Sequence, residues 1–580
     1  MQIFSVDDVL TEHGFSPPQL RALVPDQANY KALLLQPEGN ITADAAGVRN
    51  ADAELADKQY ADFLRIATET DADLVVTPEY SLPWRILQAF IEADRIPSEG
   101  TLWALGCESI TYDELSVIKA NLADRATFIH ESLAPDGNRF LNPLVYVFQA
   151  PSLGDVNDRR LIVLVQFKTR PMGDDHHFEV NGLQLGSRLY RFGGTDQQLR
   201  LITLICSDAF AFTEAQAADL YDRTLVVHIQ LNPNPRQNLF RLYRTHLLKY
   251  GGDQTEIITL NWAKDVRAQL DTGASCWKNI AGSGWYLRPD KFDSGDTVLQ
   301  HNHRLGLYYT WLQVDRCHAL FFSYAPAVFL LIGTKVAHLR VPAPLSKRIG
   351  PKMDALYVWS AESNEWEVSE QAEDGFADVV ADAGAAAEQL KELAKSNALA
   401  VERVLAICAG HPVSRIDWHK VTHLDSCKID ADEIVQRVTF CHDRETKATS
   451  FRRSRLRAGQ RAMRLLVQPF PPSLNDLAAG FQFDWQPNSP HTNLVSNAAR
   501  RATIIALDDT HTGRDAENVR NTVAEYLRRT ALTADESTEA MQRLHVWYRD
   551  DQGNDVLCDP YHYVMYDKVD ESPFDIGRAS

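Results

Sequence analysis

The first part of the chain reads as an α/β fold, and two observations carry that expectation. Runs such as Leu74–Val76, Leu161–Phe167 and Leu201–Ile205 are short, rich in β-branched residues and bounded by polar ones, the pattern of buried strands. Each run also leads within a few residues into a chemically versatile side chain: Glu79 in LVVTPE, Lys168 in LIVLVQFK and Cys206 in LITLICSD. A side chain at the carboxyl end of such a strand stands on a rigid support and still reaches a pocket, which is where open α/β sheets bind ligands.

The three residue types divide a reaction among them. Sulfur attacks as thiolate, and a neighbouring carboxylate can take the thiol proton during attack, so Cys206 is the candidate nucleophile and Glu79 the candidate general base. An amide or nitrile carbon under attack passes negative charge to its heteroatom. A fixed ammonium, Lys168, beside the backbone N–H groups that follow Cys206 would stabilise it. Together they are the parts needed to break a carbon–nitrogen bond through a thioester.

A glutamate in a PE motif, a lysine after a strand and a cysteine in an IC-x-D motif, in this order, resemble the signature of the nitrilase superfamily, the carbon–nitrogen hydrolases. The resemblance covers roughly residues 28 to 340. In chain order, KALLLQP (31–37) is similar to the first strand, and LWALGCES (102–109) and FLNPLVYVFQ (140–149) to the strands between glutamate and lysine. LVVHIQLNP, EIITLNWAK and SGWYLRP match the elements after the cysteine. The resemblance implies a four-layer α-β-β-α sandwich, a small-molecule amide or nitrile substrate, no cofactor and no metal, and a homo-oligomer. It also implies a second glutamate that orients the lysine, for which Glu179 in HHFEVNG is the best match, and gives Asp208 a structural role. Trp84, Phe210, Asn232 and Trp262 follow or adjoin strand ends and are the candidate substrate-binding residues. The chain departs from the family pattern in Thr169-Arg170-Pro171 after the lysine and in a long stretch between Glu79 and Lys168. Amides are preferred to nitriles only as the broader substrate class.

Singly, a Glu, a Lys or a Cys is more often structural than catalytic. Their joint occurrence in matching context outweighs that. The alternative is a catalytically silent or partner-dependent subunit that keeps the fold and senses a ligand.

At 580 residues the chain is too long for one ordinary core. Its 45% hydrophobic and 24% charged residues are those of a globular protein. No apolar stretch is long enough to cross a bilayer. The start, MQIFSVDDVLTEHG, is acidic where a signal peptide is basic and then apolar, and eight scattered cysteines suit a reducing compartment, so a cytoplasmic location is expected. A net charge of −19 disfavours nucleic acid and anionic membranes.

The hydrolase-like pattern ends after HALFFSYAPAVFLLIGTKV, read as closing strands, and VPAPLSKRIGPK marks a boundary. The expected division is 1–342, 343–470 and 471–580. In the second region, Val380, Leu390 and Val404 suggest amphipathic helices between about Gly375 and Ile407, suited to packing on the hydrolase or on a protein partner. A basic segment (444–464) holds Arg444, Lys447, Arg452, Arg453, Arg455, Arg457, Arg461 and Arg464 against one acid, Glu445. Pairing with acidic surface of the same molecule outweighs nucleic-acid binding, since no aromatic-interleaved motif accompanies it. His419, His423, Cys427, Cys441 and His442 give a weak zinc pattern, outweighed by ordinary structural roles. In the third region ATIIALDD reads as a buried strand, DAENVRNTVAEYLRRTAL as a helix, and LHVWYRDD with DVLCDPYHYVMYD as a hairpin about Gln552-Gly553-Asn554.

Overall fold

A computed structural model describes residues 1–24, 29–173, 178–193, 199–211, 213, 215–216, 220, 223–232, 238–250, 255–270, 273–278, 282–287, 296–312, 317–335, 350–372, 380–396, 398–410, 446–486 and 488–561. These fall into two compact units, one within Met1–Phe376 and one drawn from Ala377–His419 and Glu445–Ser580.

In the first unit the apolar runs form two large sheets. Among the described residues, nine strands run in the spatial order Glu365–Ser369, Lys352–Ser360, Ala327–Thr334, Asn29–Gln36, Leu74–Leu82, Leu102–Cys107, Pro143–Ser152, Asp155–Phe167 and Ala126–His130. Eight more run Gln2–Ser5, Arg188–Phe192, Arg200–Ile205, Thr224–Ile229, Thr255–Leu260, Gly284–Leu287, Cys317–Phe322 and Leu307–Leu312. A smaller sheet joins Gly273–Lys278, Asp265–Leu270, Gly39–Asp44 and Gly47–Asn50. The strands Asn29–Gln36, Leu74–Leu82 and Leu102–Cys107 pair in parallel, as do Arg200–Ile205, Thr224–Ile229 and Thr255–Leu260.

Alternation along a strand sends side chains to both faces, which is why these runs are apolar throughout. One face of the nine-stranded sheet, with Leu33, Leu35, Val75, Trp103, Leu105 and Val145, packs under the helices Ala53–Glu69, Trp84–Glu92 and Tyr112–Asn121 through Tyr60, Phe63, Leu87, Phe90 and Leu115. Each such side chain contributes about 1.5–3 kcal/mol on burial. The other face meets the eight-stranded sheet, where Tyr146 and Phe148 stand edge-on to Phe192 at 4.8 and 5.5 Å between ring centroids. Local sequence starts the helices: Asp52 accepts from Leu55 N at 3.0 Å, and Thr111 with Glu114 forms a capping box.

The first unit runs past residue 342. Lys352–Ser360 pairs antiparallel with Ala327–Thr334 and carries Glu365–Ser369 beyond it, so the strands read as closing ones do not end the sheet. These two strands, the outer of which forms the sheet edge, are only partly buried and lack an apolar run to announce them.

In the second unit the order is Phe481–Phe483, Leu494–Ser496, Arg501–Ala506, Leu544–Arg549 and Asp555–Leu557. The strand from ATIIALDD pairs in parallel with Leu544–Arg549 across the helices Gly513–Thr530 and Ala534–Gln542, and Leu544–Arg549 turns into Asp555–Leu557 as a hairpin. The helices Ala398–Cys408 and Thr446–Leu465 pack on the strand Arg501–Ala506, so the regions 343–470 and 471–580 contribute to one unit here.

Candidate active site

Glu79 sits where its strand departs from regular pairing. The register against Leu102–Cys107 shifts between Thr77 and Leu82, and Tyr80 has φ +60°. The neighbouring strand admits this only because it carries glycine there: a Cβ on Gly106 would lie 2.0 Å from the Pro78 carbonyl oxygen. The indole Nε1 of Trp262 donates to the main-chain oxygen of Glu79 at 2.8 Å. Lys168 follows the strand Asp155–Phe167, with its N–H on Asn142 O at 3.0 Å and its carbonyl accepting from Gly186 N at 2.9 Å. Cys206 ends the strand Arg200–Ile205 and opens the 3-10 turn Cys206–Ala211 with φ +42°, a left-handed conformation costly for a side chain with a Cβ.

These elements converge on one buried cluster. Lys168 Nζ lies 2.8 Å from Glu79 Oε1 and 2.7 and 2.8 Å from the two Glu179 oxygens. Glu79 also accepts from Asn142 Nδ2 and from Leu231 N, each at 2.7 Å. Glu179 accepts from the Tyr80 hydroxyl and from Met172 N, each at 2.6 Å. Glu79, Lys168 and Cys206 are 1% exposed and Glu179 is 2% exposed.

The electrostatics follow from that burial. Desolvation works against the charge on Lys168, but the carboxylates of Glu179 and Glu79 outweigh it and hold the ammonium above its ordinary range. Burial pushes the Glu79 carboxyl up, and Lys168 only partly offsets this. The Cys206 thiol is pushed well up by burial and then by Glu79, so it rests protonated beside a carboxylate able to take its proton.

Of the other sequence candidates, Asp208 accepts from Thr169 N and Oγ1 at 2.8 and 2.7 Å, and burial raises it to about 6. It ties the segment after the lysine to the turn of the nucleophile. Asn232 is buried and paired through its backbone with the Asn261 side chain, next to Leu231 on Glu79. Phe210 is half-buried in the Cys206 turn, its ring centre 6.0 Å from the Arg170 guanidinium carbon. Trp84 lies in the helix-covered core, its indole donating to Glu108 O at 3.0 Å. Trp262 is spoken for by the Glu79 backbone.

Asn142, Tyr80 and His228 belong to the site without being marked out by the sequence. Asn142 had one signal, a lone amide entering an apolar strand. His228 had none, since LVVHIQ reads simply as a strand. Its Nε2 donates to the Cys206 carbonyl at 2.9 Å and its Nδ1 accepts from the Tyr243 hydroxyl at 2.6 Å, while burial lowers its pKa to about 3 and keeps it neutral.

In the second unit, Arg461 of the basic segment turns inward, paired with Asp555 and bonded to Leu507 O. Arg444 and the residues His419, His423, Cys427, Cys441 and His442 lie outside the described residues. Among the described residues, no His, Cys, Asp and Glu group is arranged to hold a metal ion, and no helix is long and apolar enough to cross a membrane.

No family model matches the chain, and no curated protein is similar to it in sequence. Similar solved structures include a glutamine-dependent NAD+ synthetase from Acinetobacter baumannii, at 13% identity over 64% of this chain and 53% of that one, with a TM-score of 0.30. An amidase from Nesterenkonia sp. matches at 14% identity over 44% of this chain and 82% of its own, with a TM-score of 0.25. Saccharomyces cerevisiae Nit3, a member of branch 10 of the nitrilase superfamily, matches at 13% identity over 42% and 78%, with a TM-score of 0.25. The chain spans about half the length of the synthetase. Likeness this low carries no argument about chemistry, which rests on the residues of this site.

Proposed function

We propose that this chain is a carbon–nitrogen hydrolase with a nitrilase-like four-layer arrangement, cleaving a small amide through a thioester on Cys206. The observation that supports this best is the Lys168 ammonium, shared between Glu79 and Glu179 at 2.7–2.8 Å in a buried site, with the Cys206 thiol under the influence of Glu79 and Lys168.

Cys206 sulfur adds to the amide carbon as Glu79 takes the thiol proton, and the carbonyl oxygen gathers negative charge beside Lys168. Glu79 returns the proton to nitrogen as the carbon–nitrogen bond breaks, and ammonia or an amine leaves. Water then adds to the thioester with Glu79 again taking the proton, releasing the acid and the thiol. Glu179 fixes Lys168 rather than touching substrate.

The catalytically silent alternative draws on one observation, the near-complete closure of the four side chains from solvent. Iodoacetamide labelling at neutral pH separates the two. The hydrolase reading expects modification of Cys206 that Glu79→Gln slows strongly. A Cys206 as inert as the buried Cys107 would favour the alternative.

A further inference from the structure

Asn142 stands before Pro143, the first residue of the strand Pro143–Ser152, and its carbonyl accepts the Lys168 N–H at 3.0 Å, so its backbone is fixed opposite the lysine. The side chain is 1% exposed. Nδ2 donates to Glu79 Oε1 at 2.7 Å, which sets the orientation of the amide, because a carboxylate can only accept. The other end, Oδ1, is buried and has no hydrogen-bond partner among the described residues. A buried carbonyl oxygen without a donor costs stability, and in a native site it calls for a reason.

We propose that Asn142 Oδ1 accepts an N–H of the substrate's amide group, making the site selective for an amide that carries an N–H over a nitrile or an ester. This rests on the Cys206 thioester reading and deepens it. In that reaction Glu79 must deliver its proton to the departing nitrogen, so the nitrogen lies against the Glu79 carboxylate. Asn142 is anchored to the same carboxylate through Nδ2, which leaves Oδ1 one amide group away, beside an N–H that is not receiving the proton. As nitrogen is protonated its N–H bonds become stronger donors, so the contact tightens on the way to bond cleavage. Neither a nitrile nor an ester has an N–H to offer, and either would leave Oδ1 unpaired.

The test needs no knowledge of the natural substrate. Iodoacetamide, methyl iodoacetate and iodoacetonitrile alkylate a thiol by the same displacement: the sulfur–carbon bond forms, the carbon–iodine bond breaks, iodide leaves and the thiol proton passes to a base. Only the first carries N–H groups. Labelling rates at Cys206, located by peptide mapping and divided by the rates for glutathione, read the site's preference. Wild type should favour iodoacetamide, and Asn142→Ala should shrink that preference about tenfold, the scale of one buried hydrogen bond. Asn142→Asp should regain it as pH falls, since a protonated carboxyl reproduces both the donor to Glu79 and the acceptor. An unchanged ratio in Asn142→Ala, with all three rates falling together, would overturn the proposal and leave Asn142 as a prop for Glu79. Labelling in wild type no faster than in Glu79→Gln would instead overturn the thioester reading itself.

Discussion

Lys168 is charged, buried and held at fixed distance from two carboxylates, which makes it the most constrained cation of the site. An ammonium already paid for by Glu79 and Glu179 is preorganised to meet new negative charge without reorganising. Lys168→Ala should therefore lower kcat by ~10²–10³, the usual loss for one oxyanion donor. A loss below threefold would assign it a structural role. Glu79 must be ionised to accept the thiol proton, and burial raises its pKa. The acid limb of kcat/KM should accordingly lie above the ordinary carboxylate range, with activity lost as pH falls through that raised value, and Glu79→Gln should show no measurable turnover at any pH. Glu79, Lys168 and Cys206 were legible because strand ends with these residue types are chemically conspicuous. Asn142 and His228 were not, because each acts through a contact across sheets that no local spacing encodes.

At the scale of elements, the site depends on two strand ends that depart from regular geometry. The irregular stretch at Glu79 is allowed by Gly106, and the turn at Cys206 is held by His228 and, through it, by Tyr243 of the helix Asn238–Tyr250. Gly106→Ala should force the Pro78 carbonyl away, costing about 1–3 kcal/mol as overpacking does, and should lower activity with it. Thermal unfolding and amide turnover measured on the same variant check this. If the substitution were tolerated in both, the close approach would not matter. The long buried strands were plain in sequence because their apolar runs are continuous. Lys352–Ser360 and, at the sheet edge, Glu365–Ser369 are not announced in the sequence because both are only partly buried and neither carries a continuous apolar run.

For the molecule as a whole, buried neutral histidines couple stability to pH. His228 falls to about 3, and His491 and His545 in the second unit to about 4, against an ordinary value of 6.5. Above 6.5 neither folded nor unfolded chain carries these charges. Below it the unfolded chain binds protons that the folded one refuses, so stability is lost as pH falls toward the folded values. Asp208, raised to about 6, acts in the opposite sense, with stability lost as pH rises from its ordinary range through 6. The His228 share is isolated by a variant: the stability gap between wild type and His228→Gln in urea should shrink by about 2 kcal/mol from pH 7.5 to pH 5. A constant gap would show that His228 does not carry it. Proline- and glycine-rich boundary segments do not register the packing of Ala398–Cys408 and Thr446–Leu465 on Arg501–Ala506, which joins stretches on either side of residue 470. The central claim, a thioester on Cys206, is tested most directly by intact-protein mass spectrometry of wild type and Cys206→Ala after incubation with a pool of short amides and metabolites. An acyl-sized mass increase in wild type alone, with the variant still folded, is the expected result, and hydrolysis of an amide by Cys206→Ala would contradict it.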